Sequence, residues 1–235
     1  MIKGSNVIID ESVVLGKNVQ LGNNVVIYPG TTIGNNVIIQ DNAVIGKQPT
    51  RAKASILPDV KSLPPTVIGN GVTIGTSAII YANAKIEDDV FIADLATVRE
   101  RVTIGEKTII GRGVAVENDC TIGIRCKLET NCYITAYSEV GDYAFIAPCV
   151  VTTNDNYMAR SKERFDKFKG VTVKTGGRIG ANSTILPGKI IHEDGVVAAG
   201  SLVSKDVESE TIVLGNPARK FDKVPENQLL KNQQN

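Results

Sequence analysis

Tryptophan is absent, aromatic residues make up only 5% of the 235-residue chain, and there is a single histidine, His192. A chain this poor in large rings, yet rich in Ile and Val, can fill a long thin core but not a thick globular one, so one elongated domain over residues 1–235 is expected. Charge of one sign is also lacking. Lys and Arg total 26 against 25 Asp and Glu, a net +1, so no broad field invites nucleic acid or a membrane surface, and neither partner is expected. No apolar run reaches the length that spans a bilayer, and the opening MIKGSNVIID lacks the apolar centre of a signal peptide. Four cysteines in no paired-looking pattern suit a reducing, cytoplasmic setting.

What the chain does have is a period of six. Ile68, Ile74, Ile80, Ile86, Ile92, Val98, Ile104, Ile110, Val116, Ile122, Leu128, Ile134, Val140 and Ile146 share one slot, and the slot two residues earlier is always small or β-branched. Cys120, Cys126 and Cys132 fall in that small slot, alongside Val114 and Ser138. Zinc sites favour short C-x₂₋₄-C knuckles with a distant second pair, which this spacing does not offer, so the thiols read as compact core residues and no metal is expected. The same frame runs from Ile9 to Ile45 and from Ile179 to Val203, with Gly often following the large aliphatic where the chain must bend. Such a repeat describes an all-β solenoid in which each short strand buries one large and one small side chain, three hexads close one coil, and residues eighteen apart stack.

Two stretches break the frame. Residues 46–67 carry Pro49, Pro58, Pro64 and Pro65 with Arg51, Lys53 and Lys61, and residues 153–178 are polar and charged, with Tyr157, Arg160, Arg164 and two phenylalanines. They could be decoration, but long insertions in repeat proteins tend to gather on the binding face, so 153–178 is expected to project as an active-site loop. Residues 208–235 are expected to form a C-terminal extension.

The run Ala198-Ala199-Gly200-Ser201, then Lys205-Asp206-Val207, then Gly215-Asn216-Pro217-Ala218-Arg219 resembles the last coils of the hexapeptide-repeat acyltransferases. The resemblance implies a left-handed parallel β-helix, where the general handedness rule for parallel crossovers would give right-handed. It also implies a homotrimer with a coenzyme A groove between adjacent subunits, acetyl-CoA being the expected donor. Small residues at Ala181, Ala199 and Ser201 would let a pantetheine arm lie along strand edges, and Lys205, Arg219 and Arg178 are the candidates for its phosphates.

Within that family, Thr153-Asn154 at the head of the second loop, Val98-Arg99-Glu100 and Val116-Glu117-Asn118 look like the nucleotide-amino-sugar N-acyltransferases. The resemblance implies a dTDP- or UDP-linked amino sugar as substrate, with Asn154 beside its amine. Glu100, Asn118 and Asn154 stand at multiples of eighteen, and Arg99, Glu117 and Thr153 do likewise, so the six form two adjacent columns. These columns read either as a substrate groove, with Tyr157 at its rim, or as a ladder of hydrogen-bonded turns. Position 136 departs from the pattern: some relatives carry an acid where this chain has Ala136, which leaves the acylated ring position open. Glu100 or Asp155 is the candidate to relieve the amine of a proton. A sugar hydroxyl would instead need a general base, usually histidine. His192 is expected on a coil corner towards the nucleotide end of the cofactor groove, and one histidine cannot furnish the three ligands of the zinc carbonic anhydrases built on this fold. O-acylation of a sugar or amino acid, and a non-catalytic scaffold, are the alternatives to sugar N-acylation.

Overall fold

The structure is a computed structural model that describes residues 2–55 and 62–233; Pro58, Lys61 and the last two residues of the expected C-terminal extension lie outside the described residues. Its unit is a two-residue strand such as Thr121–Ile122. Cys120 turns its small side chain inward just before the strand, Thr121 faces out, and Ile122 fills the core. Bulky inward residues with small inward neighbours let three strands meet at three corners without voids, since interiors are packed as densely as organic crystals. The large slot is accordingly closed to solvent, with Ile74, Ile80, Ile92, Ile104, Ile110, Ile134 and Ile146 all at 0% exposure.

Successive coils pair in parallel at a step of eighteen: Phe91 faces Ile109, Ile109 faces Lys127, and Lys127 faces Phe145. Three sheets result, of twelve, ten and nine strands. The first begins at Ile2–Lys3, the second at Ile8–Ile9 and the third at Val14–Leu15, and the chain visits them in that order in each coil. Corners use the left-handed backbone region that Asn tolerates and bulky residues resist. Asn6, Asn24 and Asn42 occupy it at the first-to-second corner and Asn18 and Asn36 at the third-to-first corner, and their side chains bond coil to coil over 3.0–3.2 Å. Asparagine ladders therefore exist, but at these two corners.

The register lengthens twice and shortens once. Thr32 pairs with Val67, an offset of 35, Glu139 pairs with Thr172, an offset of 33, and in the last coil Val196 pairs with Ile212, an offset of 16. Both insertions leave from the second sheet, after Val44–Lys47 and Val151–Thr152, and both return to the third. They project from one and the same corner. The second loop is shorter than the sequence predicts: Thr172–Val173 and Arg178–Ile179 are regular strands, so the projection ends at 171 rather than 178. Val171 and Val173 hold the small and large inward slots, a pattern masked in the sequence by Lys174, Gly176 and Gly177. The C-terminal extension also begins inside the sheet: Thr211–Gly215 pairs in parallel with Val196–Val197 before folding back on Ala218–Lys223.

Candidate active site

The two insertions close over the second-to-third corner and enclose a cleft of about 270 Å³. Glu100, Asn118, Ala136 and Asn154 line it as one column, as the interval of eighteen predicts. Each coil advances ~4.8 Å, so the column runs ~14 Å from Glu100 to Asn154. It forms no ladder: the Asn118 amide turns sideways to donate to Asp119 Oδ2 at 2.6 Å. Among the described residues no hydrogen bond holds the Asn154 side chain; only its backbone oxygen is engaged, by the Lys169 amide at 3.2 Å.

The wall at Glu100 is a charge cluster. Arg99 grips Glu100 with two bonds, Nε to Oε2 at 2.8 Å and Nη2 to Oε1 at 3.2 Å, and lies 3.6 Å from Glu117 Oε2. Its guanidinium rests 4.7 Å from the Tyr81 ring centre, on which Lys47 also sits at 5.5 Å. Glu100 is buried, and two carboxylates share the Arg99 cation. Burial pushes the Glu117 carboxyl above the ordinary glutamate range, Arg99 opposing this and Glu100 adding to it. One position along, Arg101 makes a two-pronged pair with Asp119, its Nη2 at 2.8 Å from Oδ2. Burial would raise the Asp119 carboxyl, but the hydrogen bonds from Arg101 and Asn118 outweigh it and hold the group low.

Other predicted residues take different places. Asp155 lines the cleft, but both its oxygens are engaged: Oδ1 accepts from the Tyr157 amide at 2.8 Å, Oδ2 from the Ala159 amide and from Arg164 Nη1, each at 3.0 Å. The Ala159 amide above all, then that of Tyr157 and the Arg164 cation, keeps Asp155 below the usual carboxylate range against the modest opposition of burial, so its geometry is that of a loop clamp and not of a base. Tyr157 turns its hydroxyl to Glu163, and Thr153 donates its hydroxyl to the Ile185 carbonyl at 2.9 Å. Arg164 is wedged between Phe165 and Phe168, 4.8 and 5.6 Å from their ring centres, which stiffens the loop and sets Phe168 on the cleft wall. Gly170 closes the loop where a Cβ would lie 2.2 Å from the Tyr137 carbonyl oxygen.

Of the residues expected to meet coenzyme A, Lys205 and Arg219 line a common hollow of about 150 Å³. Lys205 stacks on the same corner as Asn154, two coils on, through Pro187. Ala181 and Ala199 lie on the first-to-second corner, where a Cβ on neighbouring Gly200 would meet nothing within 4 Å. Arg178 faces outward on the first sheet and donates to Gln228 at 3.2 Å, while its Nε and Nη2 are buried without a partner. Ser201 is a correction: it is 2% exposed and occupies the small inward slot, accepting from the Gly215 amide at 3.1 Å, so no cofactor reaches it. His192 stands on the third-to-first corner, 4.0 Å from Glu193, away from the cleft.

Sequence reading missed Pro49, Thr50 and Arg51 of the first loop, and Arg101 and Tyr137, all of which line the cleft. Corner conformation would not have marked the last two: with Asp119 they take φ 59°, 60° and 66°, but Leu95, Lys107, Arg125 and Tyr143 take the same left-handed conformation away from the cleft.

The cysteines lie where the frame puts them. Cys120, Cys126 and Cys132 are buried and only Cys149 is exposed; among the described residues no cluster of three or more His, Cys, Asp or Glu could hold a metal ion, and no helix is long and apolar enough to cross a membrane.

LpxA from Acinetobacter baumannii has a similar fold, with a TM-score of 0.57 at 20% identity over 94% of this chain and 74% of that one. The solenoid is a left-handed parallel β-helix. Residues 12–47, 65–100 and 83–118 match the profile described as bacterial transferase hexapeptide (six repeats). A stretch of 54 residues is 46% identical to the dTDP-3-amino-3,6-dideoxy-α-D-galactopyranose 3-N-acetyltransferase of Aneurinibacillus thermoaerophilus, covering 23% of this chain and 28% of that protein. The chloramphenicol acetyltransferase of Escherichia coli is 30% identical over 105 residues, 43% of this chain and 50% of that one. The chain thus spans about a quarter to a half of the length of these curated relatives.

Proposed function

We propose that the protein is an N-acyltransferase that moves an acetyl or other short acyl group from coenzyme A to the amine of a nucleotide-linked amino-deoxy sugar. The observation that carries this reading is the cleft itself: Glu100 gripped by Arg99 at one end, an unengaged Asn154 amide at the other, and no imidazole among the residues that line it. An amine on a ring bearing oxygens has a pKa nearer about 8 than that of lysine, so a useful free-base fraction exists at neutral pH. Asn154 Oδ1 accepts a hydrogen bond from the neutral amine and turns its lone pair to the thioester. The nitrogen attacks the carbonyl carbon, the C–S bond breaks, and the departing thiolate takes the amine proton. No protein base is required, and proximity supplies much of the rate.

The acyl-CoA co-substrate fits the same corner, with its thioester at Asn154 and its phosphates towards Lys205 and Arg219. Ala181, Ala199 and Gly200 lie on a different corner, so the two sets face one groove only across a subunit boundary, as in a homotrimer. Phe91, Ile109 and Phe145, exposed on the first sheet in a column that Lys127 interrupts, supply a surface for such assembly. A scaffold would not need two loops converging on one charged column. The test is thiol release from acetyl-CoA with a panel of dTDP- and UDP-amino sugars beside their hydroxyl counterparts. Turnover restricted to the amines is expected; turnover with hydroxyl sugars, abolished by His192→Ala, would move the reading to O-acylation, and no turnover with any acceptor would favour the scaffold.

A further inference from the structure

Four arginines stand in or against the cleft, and three are spoken for: Arg99 by Glu100 and Glu117, Arg101 by Asp119, Arg164 by Asp155. Arg51, carried in by the first loop, has no ion pair among the described residues, and its Nε is buried without a hydrogen-bond partner. A buried donor left unfilled is costly, and a guanidinium presents its donors in a fork that fits oxyanions two at a time. The loop is built to deliver it. Gln48 ties the loop neck to Leu63 through both ends of its amide, at 2.9 and 3.0 Å, and Pro49 narrows the backbone choices just before Thr50 and Arg51.

We infer that Arg51 is a specificity residue that holds phosphate oxygens of the acceptor, so that the cleft selects a molecule carrying an amine and a diphosphate together. This deepens the proposed reaction and rests on it for the identity of the acceptor. The cleft then holds the acceptor at two points: Asn154 meets the amine, and Arg51 meets the anion. The donor also carries phosphates, but its candidate partners Lys205 and Arg219 lie beyond Asn154 at the far end of the corner, whereas Arg51 shares its cleft with Glu100.

The test is steady-state kinetics of Arg51→Ala and Arg51→Lys with dTDP- and UDP-amino sugars, together with calorimetric binding of dTDP, UDP and the bare nucleosides. For Arg51→Ala we expect KM for the acceptor to rise roughly tenfold or more, with kcat and KM for acetyl-CoA changed less than about twofold, and Arg51→Lys to recover part of the loss. The nucleoside diphosphates should bind the native protein and lose affinity to Arg51→Ala, while nucleoside binding is unaltered. The binding arm needs no turnover, so it stands even if the panel yields no acylated product and the proposed reaction falls. The inference is overturned if Arg51→Ala, shown by its melting temperature to be folded, leaves acceptor KM and diphosphate binding unchanged, or if it raises KM for acetyl-CoA instead.

Discussion

Cys120 and Cys126 donate their thiols to the Thr135 and Gly141 carbonyls at 3.1 Å, and burial pushes Cys120, Cys126 and Cys132 up to about 12, 11 and 12. A thiol that cannot ionise is a poor nucleophile and a poor metal ligand. Native protein should therefore react with a thiol reagent at Cys149 alone, and the other three only after unfolding; the count by mass spectrometry checks this, and rapid loss of all four in folded protein would contradict it. Glu117 yields a prediction of opposite character. Its folded carboxyl is raised, so its contribution to stability is full below the ordinary glutamate range and is lost as pH rises through the folded value. Glu117→Gln, which mimics the protonated form, should melt higher than the native protein near pH 7, and the gap should close towards pH 4. If Glu117→Gln melts lower at pH 7, the Arg99 contact outweighs burial and the sign is wrong. At Asn154, replacement by Ala should cost roughly ten- to a hundredfold in kcat/KM, the scale of one well-aligned hydrogen bond, while His192→Ala keeps most of kcat.

Among the elements, the second loop depends on one close approach. Any side chain at Gly170 must push against the Tyr137 backbone and the Ser138 amide beside it, so Gly170→Ala should displace Tyr137 and Phe168 together, lowering kcat/KM at least tenfold, and should lower the melting temperature too, because Ser138 holds a buried small inward slot. Full activity at an unchanged melting temperature would show instead that the loop neck gives way freely. How far this element could be read in advance depended on period. Glu100, Asn118, Ala136 and Asn154 line one cleft because a strict step of eighteen puts them on one corner. Ser201 was equally legible from the frame, which places it in the small inward slot of Cys132, yet a motif match drew it to the surface. Asp155 and Arg51 were not legible as to role. Inside an insertion no period applies, and whether a carboxylate is free or bonded to two amides and a guanidinium depends on how the loop folds on itself.

At the scale of the whole molecule, the architecture was open to reading because a solenoid repeats the same local decision, large in and small in, in coil after coil. Handedness was not, since the six-residue pattern is the same for either hand. Phe91, Ile109 and Phe145 stand exposed on the first sheet, with Lys127 between the last two. Sedimentation should give a trimer, and Ile109→Lys should shift it towards monomer with loss of turnover but little loss of monomer fold; a fully active monomer would rule out a site shared between subunits. The common corner from which both loops leave has one more consequence. In the second sheet the pairings run from Val44 through Ile79, Thr97, Ala115 and Tyr133 to Val151, five steps, or ~24 Å. Removing one whole coil would bring the two loops ~4.8 Å closer with their bearing unchanged, whereas removing a single hexad would swing the second loop to another edge. Distance along this molecule is thus counted in eighteens and direction in sixes, so the reach of the acceptor site can lengthen or shorten only by whole rungs, as on a ruler that has no finer marks.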